Sequence, residues 1–332
     1  MRIGRICHHS LSNGSGLNRV STNMCLAEKM IGLDSVLTYT DQPKMKIAPL
    51  TPAHMEVITE EEAKVADIHV CHSHIPDDCV GKTVFIPHGT PEHCFTGAIE
   101  QFRASGYTAG DAFMLSKYRL DHCDATVTFW PRHEYIWGSM NPKAKIHVIP
   151  MGIDTDFWTP TPSTGKWSGS PSLFTCENSH AIKWPLDIIL AFPLLMKRTK
   201  AILHTHYIPM DQHRWWFPLM QANGTSFRSY SSGMYFDQNT LRNAFNSVDY
   251  YINPVRYGDF NSVGLEAAAS GAKVISYRGN PYAHYHIPEG DQREIAETLI
   301  AIFEGKIEPR KIDPISNVAD MAREMFKIYE TL

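Results

Sequence analysis

Short apolar runs alternate with amphipathic stretches along most of this 332-residue chain, and that alternation most constrains its fold. Runs of about four to six apolar residues are typical of buried parallel strands, and the stretches between them repeat apolar residues at helical spacing. Strands that alternate with helices predict a parallel, doubly wound α/β sheet. The pattern occurs twice, before and after a segment rich in Pro, Gly and Ser at 159–171.

The predicted elements divide the chain into three parts. Strands are predicted at 2–7, 34–39, 65–71, 82–87, 125–129 and 145–149, and again at 172–176, 201–206, 249–253 and 272–277. Helical spacing is clearest at 17–30, 131–140, 185–197, 240–245, 292–304 and 317–332. We therefore predict one α/β domain at 1–150, a second at 151–315 and a terminal helix at 316–332.

Composition narrows the class of protein. Hydrophobic residues make up 43% and charged residues 20%, which favours a folded globular chain over a disordered one. The net charge of −4 gives no general attraction to nucleic acid or anionic lipid. We expect no transmembrane segment, because no apolar run approaches ~20 residues, and we leave peripheral membrane contact open. Seven cysteines without a Cys-x-x-Cys motif favour a reducing compartment, so we expect a cytoplasmic protein.

The loop at 257–271 carries the strongest functional signal. It follows a predicted strand, contains Gly258, Asn261 and Ser262, and opens into an Ala-rich helix. Backbone N–H groups in such a loop can approach an anion, and a helix start adds the positive end of its dipole. Glu266 falls about one turn into this helix, where a carboxylate can accept hydrogen bonds from sugar hydroxyls. These features predict a site for a nucleotide diphosphate.

Several segments resemble the large family of retaining glycosyltransferases with the GT-B fold. The family's donor-site signature is matched in register by Pro254, Tyr257, Phe260, Glu266, Ala267, Ala269 and Gly271, with Gly258 at the position of the family's first glutamate. The segment 148–157 is similar to the interdomain element. Ser15 and Gly16 before 17–30 are similar to the first loop and helix, and His88-Gly89 to the end of an amino-domain strand. Lys183 matches a diphosphate-binding lysine, while Asn178 stands where the family has an arginine.

The resemblance implies a fold and a set of roles. It implies two Rossmann-like domains facing a cleft, an acceptor domain at 1–150, a donor domain at 151–315, and a helix at 316–332 that crosses back to the first domain. The implied roles are diphosphate binding by Lys183 and Asn178 with the amides of Asn261, Ser262 and Val263, ribose binding by Glu266, sugar contacts by Asp259 and His88, and approach of Ser15 and Gly16 to the phosphates.

We therefore expect retaining transfer of a sugar from a nucleotide diphosphate sugar to a hydroxyl acceptor, without a metal or another cofactor. Two alternatives remain: a non-catalytic binder of sugar nucleotides, and a sugar-nucleotide epimerase with the same fold. The acceptor stays unassigned among lipid, polysaccharide, small metabolite, protein and nucleic-acid base.

Individual residues also have plainer interpretations. Lys183 can also be interpreted as an exposed lysine at a helix start, and His88 as a structural histidine at a strand end. His69, His72 and His74 lie close together in the sequence, but their spacing is not typical of a zinc site, so we predict no metal.

Overall fold

The structure, a computed structural model, describes residues 1–7, 16–39, 58–72, 75, 79–88, 114, 117–176, 186–206, 218–229, 236–255 and 262–332. The chain divides into two compact units. The first contains Met1–Asp154 and Ser316–Leu332, and the second contains Thr155–Ile315.

The first unit is built on a six-stranded parallel sheet with the strand order β2-β1-β3-β4-β5-β6. Its strands are β1 (Arg2–Cys7), β2 (Asp34–Tyr39), β3 (Ile68–His72), β4 (Lys82–Ile86), β5 (Ala125–Thr128) and β6 (Ile146–Val148). The described residues of β3 and β5 are buried throughout, as expected for a parallel sheet covered on both faces.

The helices of the first unit cover that sheet. They include Gly16–Met30, Glu60–Ala63, Pro131–Met140 and Val318–Tyr329. The ring of Phe85 meets the edge of Trp137 with centroids 6.2 Å apart, and both side chains are buried, so the third of these helices is fixed against β4. The last helix buries Val318, Met321 and Met325 along one face, in agreement with its predicted helical spacing.

The second unit has its own six-stranded parallel sheet, ordered β10-β9-β8-β11-β12-β13. Its strands are β8 (Ser172–Thr175), β9 (Ile202–Thr205), β10 (Phe227–Ser229), β11 (Tyr250–Asn253), β12 (Lys273–Tyr277) and β13 (Tyr285–Ile287). Its helices include Leu186–Met196, Gln238–Ser247, Ser262–Ala269 and Gln292–Phe303. Two edge strands, β10 and β13, were not predicted from the sequence.

A two-residue parallel pair lies where the chain leaves and re-enters the first unit. It joins β7 (Gly152–Ile153) to β14 (Ser316–Asn317). A Cβ atom on Gly152 would lie 2.6 Å from the backbone oxygen of Asn317, so only glycine permits this approach. None of the described helices combines the length and apolar character that crossing a lipid bilayer requires.

Candidate functional site

The strand order of the second sheet identifies where a ligand site belongs. From β8 the chain proceeds outward to β9 and β10, and it then returns to place β11 on the other side of β8. The edge between β8 and β11 is therefore a topological switch point, and open α/β sheets bind ligands beyond the carboxyl ends of the strands there. At the amino ends of the same two strands, Asp249 accepts hydrogen bonds from the backbone N of Ser172 at 2.9 Å and from its Oγ at 3.0 Å. These bonds join β8 to β11.

Three predicted site residues lie on the helix that follows β11. Ser262 is its first residue, Val263 its second, and Glu266 lies one turn further on. Glu266 is 1% exposed, although its helix carries mostly small apolar side chains. A carboxylate at such a position is costly to bury without polar interactions.

Asn253 is a polar residue that the sequence analysis missed. It ends β11, is fully buried, and finds no hydrogen-bond partner for either Oδ1 or Nδ2 among the described residues. Buried amides without partners are rare in folded proteins and invite explanation by a ligand or water. An asparagine that ends an apolar strand just before the glycine-containing loop was the available signal.

The other predicted residues of this site lie outside the described part of the chain. Asn178 and Lys183 belong to 177–185, which follows β8, and Asp259 and Asn261 belong to 256–261, which follows β11. In the sequence, both segments come after the two strands that flank the switch point. Ser15, in the first unit, is likewise outside the described residues.

The first unit places Gly16 and His88 at the corresponding edge of its own sheet. Gly16 begins the first helix, which follows β1, and half-buried His88 follows β4. The switch point of this sheet lies between β1 and β3, because β2 is on one side of β1 and all later strands are on the other. Ser262, Val263 and Glu266 therefore lie together on one helix, whereas Gly16 and His88 belong to the other unit.

A buried polar chain leads from the interior of the first unit to His88. His72 Nδ1 lies 2.9 Å from His88 Nε2, and His72 Nε2 lies 2.9 Å from Arg5 Nη1. Arg5 in turn donates through Nε to Glu28 Oε2 at 2.7 Å and through Nη2 to Glu28 Oε1. Arg5, Glu28 and His72 are fully buried.

The pKa values of His72 and Arg5 in this polar network differ strongly from their ordinary values. Burial, the neighbouring His88 and the Arg5 cation hold the pKa of His72 well below its ordinary value, so His72 is neutral. Although burial opposes the charged form, Glu28 and Tyr329 raise the pKa of Arg5. From the sequence, His72 was considered only as a metal ligand. Across the described ranges, no three His, Cys, Asp or Glu side chains are grouped as metal ligands.

A surface depression of about 1020 Å³ lies elsewhere on the second unit. It is lined at the amino ends of the strands by Pro171, Asp249, Tyr250 and Lys273, with the basic residues Lys197 and Lys200. Parallel α/β sheets bind ligands at the opposite, carboxyl ends of their strands. The switch point is therefore the better candidate site, despite the volume of this depression.

Comparison with solved structures identifies the class of fold. The two units and their parallel sheets match glycosyltransferases along the whole chain, and the protein has the GT-B fold. The predicted fold class is therefore confirmed.

Three particular structures show the extent of this similarity. Sucrose-phosphate synthase from Thermosynechococcus elongatus has a TM-score of 0.73 at 13% identity, with 100% of this chain and 98% of that chain covered. Anabaena HepE, in complex with UDP, has a TM-score of 0.69 at 12% identity, with both chains fully covered. WaaG, a glycosyltransferase involved in lipopolysaccharide biosynthesis, has a TM-score of 0.67 at 14% identity, with 91% and 90% covered. No protein-family model and no curated protein sequence matches the chain.

Proposed function

We propose that the protein is a retaining glycosyltransferase that moves a sugar from a nucleotide diphosphate sugar to a hydroxyl acceptor. The observation that carries the proposal is the switch point between β8 and β11 in a GT-B fold, beyond whose carboxyl ends an open α/β sheet binds its ligand. The UDP in the HepE complex and the activity named for WaaG support a nucleotide-sugar donor.

In this proposal the second unit holds the nucleotide diphosphate. Lys183 and Asn178 meet the diphosphate, and the backbone amides of Asn261, Ser262 and Val263 add donors at the helix start. Glu266 accepts the ribose hydroxyls. The buried amide of Asn253 lies at the end of the same strand and supports a polar ligand there.

The sugar is assigned to Asp259 and His88, with the loop at Ser15 and Gly16 approaching the phosphates. Departure of the nucleotide leaves additional negative charge on its terminal phosphate. Front-face attack by the acceptor then requires stabilisation of that charge and accurate positioning, and it needs no protein nucleophile. Because Lys183 and the helix start supply positive potential, we expect transfer to continue when divalent metals are chelated.

We propose a cytoplasmic location for this activity. Among the described residues, Cys25, Cys71 and Cys123 are thiols outside any disulfide, which supports a reducing compartment.

The test compares Lys183→Ala with Lys197→Ala, a control in the basic cluster at the amino ends of the strands. Wild type is first screened for thermal stabilisation by UDP-, GDP- and ADP-sugars, and then for nucleotide release with a panel of hydroxyl acceptors. We expect Lys183→Ala to lower kcat/KM by roughly 10- to 100-fold, the effect of losing one charged hydrogen bond to the leaving phosphate. Lys197→Ala should leave it unchanged.

Other outcomes select the alternatives. Stabilisation without transfer would indicate a non-catalytic binder, and release of a modified free sugar without acceptor would indicate an epimerase. Inversion at the anomeric carbon of the product, read by NMR coupling constants, would refute the retaining mechanism. No stabilisation by any of the sugar nucleotides would refute the donor site itself.

A further inference from the structure

We propose that Arg5 and Glu28 act through His72 to hold neutral His88 with its proton on Nδ1, so that His88 is a hydrogen-bond donor to the donor sugar. The sugar as ligand rests on the proposed function. The new element is a set of three buried positioning residues that determine which nitrogen of His88 carries the proton.

The N–H donors of Arg5 determine that His72 accepts a hydrogen bond through Nε2. A guanidinium has five N–H donors and no acceptor. Nε donates to Glu28, and Nη2 donates to Glu28 and to the Tyr329 hydroxyl at 3.0 Å. Nη1 contacts Met24 Sδ at 3.7 Å and His72 Nε2 at 2.9 Å. Since Arg5 can only donate, His72 Nε2 must be the unprotonated acceptor.

The remaining proton positions follow from this acceptor. A neutral imidazole carries one proton, so His72 carries it on Nδ1 and donates it to His88 Nε2 across 2.9 Å. His88 Nε2 is then the acceptor, and the proton of neutral His88 lies on Nδ1. A cationic His88 would place an N–H group against the N–H of His72, so the contact also disfavours the charged form.

Glu28 fixes the starting point of the chain. Its two oxygens accept from Arg5, from the Tyr329 hydroxyl at 2.7 Å and from Ser35 Oγ at 2.7 Å. Four hydrogen bonds fill the acceptor positions of a carboxylate, so Glu28 and Arg5 have one arrangement available to them. Burial of Arg5, Glu28 and His72 excludes the water that would otherwise let the tautomers of His72 exchange.

The interactions differ from those of a buried ion pair that only stabilises the fold. Such a pair would hold Arg5 in place whichever nitrogen of His88 is protonated. The position of the proton on His88 is therefore the quantity that separates the two interpretations, and it can be measured without any substrate.

The experiment uses the full chain with 15N-labelled histidine at neutral pH. Two-bond 1H–15N correlation spectra distinguish Nδ1–H from Nε2–H, and comparison with His88→Gln assigns the signals of His88. We expect the Nδ1–H form in wild type. His72→Gln should retain it, because its amide oxygen can accept from Arg5 while its amide nitrogen donates to His88. His72→Leu should release His88 to both tautomers.

Two spectra would overturn the proposal. One is an Nε2–H or cationic His88 in wild type, which needs no variant to fold. The other is a folded His72→Leu protein in which His88 remains entirely Nδ1–H.

Calorimetry with UDP-glucose and UDP tests the link to the sugar. His72→Leu should weaken the binding of UDP-glucose by about five-fold relative to His72→Gln, which is the effect of one misplaced neutral hydrogen bond. The affinity for UDP should be the same in both variants. Equal weakening of both ligands, or of neither, would overturn the assigned contact with the sugar. If wild type binds no sugar nucleotide, the proposed function fails, and the spectra still decide the protonation of His88.

Discussion

Arg5 illustrates at the residue scale what sequence reasoning can and cannot reach. It lies in a strand that also contains Ile3, Ile6 and Cys7, and this strand was predicted with its observed bounds. The burial of its charge was not predicted, because Glu28, His72 and Tyr329 are distant in sequence and meet only in the folded unit. Local patterns report the path of the backbone, whereas buried polar networks depend on tertiary contacts.

Removing the charge of Glu28 should therefore strongly destabilise the folded protein. We expect Glu28→Gln to lower the free energy of unfolding by about 3–5 kcal/mol, because Arg5 would remain buried without its carboxylate. The control is Glu324→Gln, where an exposed carboxylate meets Lys327 at 2.7 Å, with an expected cost below about 1 kcal/mol. Chemical denaturation measures both, and equal costs would contradict the importance of burial.

At the scale of elements, the central strands were predictable and the edge strands were not. β8 and β11 were predicted to within a residue because central strands are apolar on both faces. β10 and β13 have three residues each and pair on one side only, and the sequence of β13 includes a polar histidine, so their signal is weak. Similarly, the helix that begins at Ser262 was expected after β11, whereas the buried amide of Asn253, without a hydrogen-bond partner among the described residues, became visible only in the tertiary structure.

Glycines that end two helices allow an element-scale prediction. Gly271 and Gly305 both have positive φ, at +89° and +69°. Alanine at Gly305 meets open space, so we expect only the backbone cost of about 1 kcal/mol. Alanine at Gly271 adds a contact of 3.3 Å with Pro160 Cγ and should cost more. Chemical denaturation compares the two variants. An equal cost would show that Pro160 moves aside without an energetic penalty, and a smaller cost at Gly271 would contradict the prediction.

For the whole molecule, the order of strands and helices predicted parallel, doubly wound α/β sheets, because parallel α/β connections allow few topologies. The GT-B fold itself was implied by the family resemblance. The site was only partly accessible. Glu266, Ser262 and Val263 lie on the helix expected for them, while the roles of Lys183, Asn178 and Asp259 stay predictions that the variants above address.

Acid sensitivity is a property of the whole molecule. Burial lowers the pKa of His206 from 6.5 to about 4 and that of His72 well below 6.5, so the unfolded chain binds these protons first as pH falls. Stability is therefore full above pH 6.5 and declines below it, by about 1.4 kcal/mol per pH unit for each such histidine, until the folded form also binds the proton.

The measurement is the free energy of unfolding between pH 7 and pH 5. His206→Gln should reduce its slope, since it removes one of these protons while the amide can still accept from the backbone N of Phe236, as His206 Nε2 does at 2.7 Å. A slope unaffected by His206→Gln would contradict the assignment.

The return of Val318–Tyr329 to the first unit has a consequence for synthesis on the ribosome. Tyr329 supplies a hydroxyl to Glu28 and Arg5, yet it is translated only after every residue of the second unit. Until Tyr329 is made, the hydrogen bonds around Arg5 and Glu28 cannot be completed. The final closure of the first unit is a late step in biogenesis.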